Sequence, residues 1–384
     1  MIDLDANATT PLLPEVFDAM LPWLREGYAN PSGAYAGGKL ARKAIDYARE
    51  QVADLIGADA SEIIFTSGGT ESVNTALRSL NSLVGEGTAL VSAIEHSAVL
   101  QCVKNLTRQV AVIPVTTGGR IDIDAFRTDL DGAAYVSVMA ANNETGVIQP
   151  LREVAELARG KGLPVHSDAI QAVGKIPLNV RELGVDLLSM SAHKFHGPKG
   201  MGALWVRTGL RFQPLLYGGG QEAGRRSGTE NTAGIVAMGA AAGCAKRFLM
   251  DATSLLAMRD VFEETVLAEV SGVMANGDAE HRLPNTSHLS FDGCDAAGLL
   301  ILLDEAGVAC SAGSACMTGK QQPSHVQLAM GIPAARAKSS LRISFSRMNT
   351  LAEASAAAQA VKQAVEKLRR VQGAGVGPVM VYSP

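Results

Sequence analysis

The sequence predicts an α/β fold: a large domain built on a mostly parallel sheet flanked by helices, followed by a smaller α+β C-terminal domain. Three observations carry this prediction. Short, throughout-apolar runs alternate with helical patterns from about residue 14 to 250, as strands covered on both faces require. After about residue 250 the texture changes to a long helix, isolated strands and a final helix. The 384 residues, 47% hydrophobic, also suffice for a large domain with a smaller appendage.

Taken in order, EIIFTS (62–67), ALVSA (89–93), VAVIPV (110–115), AYVSVMA (134–140), PVHSDA (164–169), DLLSMSA (186–192) and GALWV (202–206) read as strands. LREVAELARGKG lies between two of them and ends in lysine and glycine, as a helix C-terminus does. NTAGIVAMGAAAGCA (231–245) reads as a buried helix; it is too short and too polar for the ~20 residues that span a bilayer. A helix over roughly 251–270, the stretch LPNTSHLSF, the helix AAGLLILLDEAG, the strand LRISFS and the helix TLAEASAAAQAVKQAVEKLRR make up the second part. The expected division is 14–250 for the large domain, with 1–13 and 251–384 forming the small one.

Bulk properties exclude several classes. A formal charge of −4, a pI near 6 and the lack of a long basic run argue against nucleic acid or an anionic membrane as partner. MIDLDANATT has neither the basic nor the apolar region of a signal peptide. Five cysteines, an odd number in a large chain, point to a reducing, cytoplasmic setting rather than a disulfide framework. Cys310 and Cys316 stand five residues apart with no C-x-x-C pair, and His193 and His196 have no nearby acidic or cysteine partner, so no metal is expected. No G-x-S-x-G or H-E-x-x-H occurs.

The chemistry-bearing residues cluster at strand ends. SMSAHKFHGPKG puts Lys194 directly after a strand, either as a solvent-exposed lysine or as an amine that forms a Schiff base with an aldehyde cofactor. HSDAIQAVG puts Asp168 at the C-terminal end of a strand, as a helix cap or as the partner of a pyridinium nitrogen, with Gln171 in reach of the same ligand's phenolic oxygen. FTSGGTES places two glycines and a threonine before a helix, a simple turn or a phosphate site. It matches neither G-x-G-x-x-G nor a Walker motif, so neither a dinucleotide nor ATP is indicated. His96 in AIEHSAV is a packing residue or a ring that stacks on an aromatic cofactor and moves protons. Asn142, Asn143 and Glu144 follow another buried strand, as turn formers or ligand contacts. VACSAGSACMTGKQQPSHV (308–326) places Cys310 and Cys316 among small residues, with Pro323 near the first turn of a restarting helix.

Together these segments resemble the pyridoxal-phosphate-dependent cysteine desulfurases, nitrogen-fixation type. The match runs in order through LDANATT, NPSG, FTSGGTES, EHSAV, NNETG, HSDAIQAVGK, SAHKFHGPKG, GGGQEAGRRSGTEN, RLPNTSHLSF, GSACMTG, PSHVQLAMG and LRISFS. The resemblance implies the fold of the type I pyridoxal-phosphate transferases, and L-cysteine as substrate. It also implies roles. Lys194 is the Schiff-base lysine; His96 stacks on the cofactor ring and shuttles protons; Asp168 pairs with the ring nitrogen and Gln171 with the phenolic oxygen. Gly69, Thr70, Ser191 and His193 hold the phosphate. Thr229 reaches the phosphate of a partner subunit, which implies a homodimer. Asn143 and Arg342 bind the substrate carboxylate, Arg342 by a bidentate pair. Cys316 is the nucleophile that takes sulfur as a persulfide and passes it to an acceptor protein, for iron–sulfur clusters, thio-modified RNA or another thio-cofactor.

The chain departs from the family in places. Ala6 stands where the nitrogen-fixation type often has asparagine, and Cys310 where a small residue is usual, which suggests packing for that thiol, with a persulfide relay as the alternative. The tail GVGPVMVYSP does not support carrying over the scaffold-docking extension of housekeeping relatives. A selenocysteine lyase, a transaminase or a cofactor-binding scaffold without turnover are the competing readings. GSACMTG argues against the transaminase, and Lys194, Asp168, His96 and Cys316 together argue against the scaffold. The Cys316 loop is expected to be poorly ordered without substrate.

Overall fold

The structure, a computed structural model, describes residues 1–250, 253–312 and 322–373. Its strands are β1 (Ile2–Asp3), β2 (Ile63–Thr66), β3 (Thr88–Ser92), β4 (Val110–Ile113), β5 (Ala133–Ser137), β6 (Val165–Asp168), β7 (Leu187–Ser191), β8 (Gly202–Val206), β9 (Val273–Ala275), β10 (Thr286–Phe291), β11 (Val308–Ala309), β12 (Ser311–Ala312) and β13 (Ser340–Ser344). Each of the seven apolar runs before residue 207 forms one strand of a single sheet, in the order β2-β8-β7-β6-β5-β3-β4. The four pairings from β7 to β4 are parallel, and β8 runs antiparallel to both β7 and β2.

That topology places the site. Parallel strands deliver their C-terminal ends to one edge of the sheet, where open α/β sheets bind ligands. Two reversals, at β8 and again at β2, bring the end of β2 to the same edge. The loops after β2, β3, β5, β6 and β7 therefore converge there. Strands β2, β6, β7 and β8 are buried along their whole length and β5 at all but its first residue, which is why their sequences do not alternate. Edge strand β4 does alternate, with Val110 and Val112 turned outward and Ile113 buried.

Helices Pro14–Arg25, Ala36–Leu55 and Thr232–Leu249 pack together on this unit. The last is the predicted buried helix, and its small side chains let its neighbours approach closely. No single helix among the described residues is long and apolar enough to cross a membrane.

The C-terminal half adds an antiparallel sheet, β12-β13-β10-β9, with helices Thr253–Glu269 and Leu351–Gly373 packed against it. The chain's first residues belong to this packing: β1 pairs in parallel with β11, and Leu4 lies fully buried in the second apolar cluster. Passing from there toward the large sheet, the segment Asp5–Thr10 crosses between the two units.

Candidate functional site

A cavity of about 760 Å³ opens where the large sheet's loops meet β13 and the crossing N-terminal segment. Among the described residues, every candidate site residue named from the sequence lines it except Asn142 and Thr229. Thr229 is exposed and is not among the lining residues. Cys316 lies outside the described residues, but the residues that flank its segment, Ala312 and Gln322, both line the cavity.

Helix Gly69–Leu83 begins at the cavity. Its cap, Gly68, adopts φ 154°, ψ −179°, a conformation that favours glycine. A Cβ at Gly69 would come within 2.2 Å of Ile170 Cδ1. The first amides of a helix have no intrahelical acceptor, so Gly69 and Thr70 offer an anion free donors backed by the helix dipole. Glu71 is kept from that role by two ties: it accepts from Ser67 N at 2.8 Å and pairs with Arg226 at 2.9 Å. The Arg226 pair anchors the RRSGTEN segment to the helix start. Just before it, Glu222 and Ala223 stand in the left-handed region, at φ 49° and 55°, a strained conformation for both. Arg49 holds Glu222 there with two hydrogen bonds of 2.6 and 2.7 Å.

At the end of β6, Asp168 is 3% exposed and accepts from Ile170 N at 3.0 Å. Burial pushes its carboxyl up to about 6, against the lowering effects of that N–H and of Lys194. The carboxylate thus caps a turn and also lines the cavity with a lone pair to offer. After β7, Lys194 donates to the carbonyls of Asn7 at 2.5 Å and Ala8 at 2.7 Å. Burial, then Arg342, lowers the amine to about 8, partly offset by Asp5 and Asp168. That is the condition under which a lysine becomes a nucleophile.

His96 caps the helix Ser97–Lys104, with Nδ1 accepting from Ala98 N at 3.1 Å. Acceptance at Nδ1 leaves the proton of the neutral ring on Nε2. Burial and the charges of Lys194 and His325 lower its pKa, which favours that neutral form. His193 is held at about 4 by burial, then by Lys194, and its Nδ1 stands 3.2 Å from Thr9 Oγ1.

Arg342 comes from the middle of β13 and is 8% exposed. It donates to Asn143 O at 3.0 Å and to Asp5 Oδ1 at 2.6 Å, while its Nε has no partner. The NNETG loop divides its labour. Asn142 turns inward, accepting from Glu144 N and Thr145 N, whereas Asn143 faces the cavity. Ser324 Oγ donates to Glu144 Oε2 at 2.5 Å, so the loop receives the chain where it returns from the Cys316 segment. The helix restarting there, His325–Ala329, is capped by Ser324, which puts Pro323 one residue before the cap rather than in the first turn.

Several residues of the site carried no local signal. Asn7 and Ala8 enter through main-chain carbonyls, and Lys175 and Glu95 are buried charged types beside the site. Cys310 is only half-buried and borders the cavity as well as packing on the second cluster. Burial, then Asp5, pushes its thiol up to about 12, so it is a poor nucleophile.

A pyridoxal-phosphate-sized group fits these donors: a buried strand-end carboxylate for a ring cation, free helix amides for a phosphate and a partly desolvated amine for an aldehyde. Comparisons agree. Residues 2–356 match the family described as aminotransferase class-V. The chain is 46% identical to a cysteine desulfurase of Cereibacter sphaeroides over 383 residues, 98% of each chain. It is 43% identical to the cysteine desulfurase NifS of Azotobacter vinelandii, over 98% of this chain and 96% of that one. Among solved structures, a NifS-like protein superposes with a TM-score of 0.87 at 35% identity, covering 97% of this chain and 99% of that one. A NifS-like protein from Rickettsia africae gives 0.86 at 31%, covering 95% and 99%.

Proposed function

As the chain belongs to the class-V aminotransferases and, within them, to the cysteine desulfurases, we propose that Cys316 is the residue on which it collects sulfur from L-cysteine. The activity itself is pyridoxal-phosphate-dependent desulfuration of L-cysteine, with sulfur passed to an acceptor. The observation that supports the Cys316 reading is that Ala312 and Gln322 both border the cavity containing Lys194 and Arg342.

When bound, the cofactor withdraws electrons from the substrate's Cα. Gly69, Thr70, Ser191 and His193 hold its phosphate, Asp168 keeps a proton on its ring nitrogen, and Gln171 donates to its phenolic oxygen. Arg342 and Asn143 orient the substrate carboxylate. The Lys194 amine, lowered to about 8, has an uncharged fraction at neutral pH and accepts the Cα proton. His96 presents its Nε2–H to the substrate sulfur as a hydrogen-bond donor. The Cys316 thiolate attacks the substrate sulfur and the new S–S bond forms as the Cβ–S bond breaks; that electron pair stays on the three-carbon fragment, which takes up a proton at Cβ and regains one at Cα from Lys194, and alanine leaves. The resulting persulfide serves an acceptor protein, with iron–sulfur cluster assembly or thiolation as the outlet.

The remaining parts of the reading are a homodimer, in which exposed Thr229 reaches across to the partner's phosphate, and a cytoplasmic setting consistent with free Cys102, Cys244, Cys294 and Cys310. The domain division is 14–250 against 1–13 plus 251–384. The test is product stoichiometry. Under a reductant, alanine and sulfide should form from L-cysteine in equal amounts, and alanine without sulfide or persulfide would overturn the reading.

A further inference from the structure

Gln171 reaches the cavity with its amide already oriented. After β6 the chain folds through tight turns, with Val173 N donating to Ala169 O at 3.0 Å and Lys175 N to Ala172 O at 3.0 Å. This brings Lys175, 5% exposed, beneath Gln171. The Lys175 amine donates to Gln171 Oε1 at 2.6 Å and to Asn7 Oδ1 at 2.7 Å. Gln171 Nε2 donates to Asn7 O at 2.8 Å. Asn7 is fixed in turn: Oδ1 also accepts from Asn285 Nδ2 at 3.2 Å, and Nδ2 donates to Thr286 Oγ1 at 3.0 Å.

These contacts distinguish the two ends of the amide. An amine is a donor and faces only the Gln171 oxygen; a main-chain carbonyl is an acceptor and faces only its nitrogen. The nitrogen's second hydrogen has no acceptor among the described residues, and Gln171 lines the cavity. We propose that Lys175 is a positioning residue that fixes the orientation of the Gln171 amide, so that a donor and not an acceptor faces the phenolic oxygen of the bound cofactor. This rests on the reading of Gln171 given above.

Burial, then the charges of Lys194 and Arg342, holds the Lys175 amine well below its ordinary value. Burying a lysine amine costs stability unless it is hydrogen-bonded, and a donor is what the Gln171 amide oxygen faces here.

The test is the pH titration of the visible band of the purified holoenzyme, compared with Gln171→Met, Lys175→Met and the double variant. A donor to the phenolic oxygen favours its deprotonated form, so losing the donor raises the midpoint. Gln171→Met should raise it by about one pH unit, the equivalent of one hydrogen bond to a charged acceptor. Lys175→Met should raise it by the same amount, and the double variant no further. If Gln171→Met leaves the midpoint in place, the Gln171 reading itself falls. If Gln171→Met moves it and Lys175→Met does not, the positioning role alone falls. Additive shifts would mean that Lys175 acts on the chromophore directly, and would overturn the inference too. Should Lys175→Met not fold, the double variant replaces both partners by apolar groups of similar size and is better tolerated. Its midpoint should equal that of Gln171→Met, and any further shift overturns the inference.

Discussion

Arg342 Nη2 lies 2.6 Å from Asp5 Oδ1, tying the middle of β13 to the segment that crosses between the two sheets. The guanidinium is thereby held toward the cavity with its Nε buried and unpartnered. A buried donor without an acceptor costs about 1–3 kcal/mol, which a substrate carboxylate can return. Arg342→Lys keeps the charge and loses the planar fork. It should raise KM for L-cysteine roughly 10- to 100-fold, about 1.4–2.7 kcal/mol, with the visible spectrum unchanged. Steady-state kinetics and an absorbance scan check both halves.

Lys194 and Cys316 should separate cleanly. Lys194→Ala removes the amine that holds the chromophore covalently, so borohydride reduction should no longer fix the chromophore to the denatured chain. Cys316→Ala should keep the colour and lose sulfide release by at least about a hundredfold, as expected for a lost nucleophile.

Gly69→Ala places a methyl group 2.2 Å from Ile170 Cδ1 and pushes that side chain into the cavity. Cofactor affinity should fall about tenfold, roughly the worth of one good phosphate contact (~1.4 kcal/mol). Equilibrium dialysis of the reconstituted enzyme measures it.

Glu95 is fully buried beside the site, accepts from Met139 N at 2.7 Å, and leaves Oε2 without a partner. Burial, then Asp168, raises its carboxyl to about 8. The sign follows from linkage. The folded state binds the proton more tightly than the unfolded one, so the stabilisation is complete below about 4.5 and is lost as pH rises through about 8. Glu95→Gln cannot ionise. Relative to the wild type, the variant's stability should therefore improve between pH 5 and 9 by about 1–4 kcal/mol. Denaturant titrations across that range check it, and a constant difference would exclude the buried ionisation.

The large sheet was legible because burial on both faces demands unbroken apolar runs, and those runs are what the sequence displays at each strand. Strand order was not legible, because the antiparallel insertion of β8 changes no residue's burial. Lys194, Asp168, His96 and Asn143 could be found because a polar side chain at the end of a buried strand stands out. Asn7 and Ala8 could not, since their contribution is a main-chain carbonyl that any residue would supply. Lys175 was visible only as part of a family motif, and its role depends on an amide four residues away. Cys310 was expected to be packed; it is packed, but it also borders the cavity with a thiol too hard to ionise to compete with Cys316.

The central claim is that sulfur leaves L-cysteine for Cys316. The direct measurement is a single turnover with limiting L-cysteine and no reductant, followed by alkylation, digestion and mass spectrometry of the cysteine-containing peptides. One extra sulfur atom on Cys316, in step with the alanine formed, is the predicted result. Extra sulfur on Cys310, or full turnover by Cys316→Ala with sulfide released directly, would contradict it.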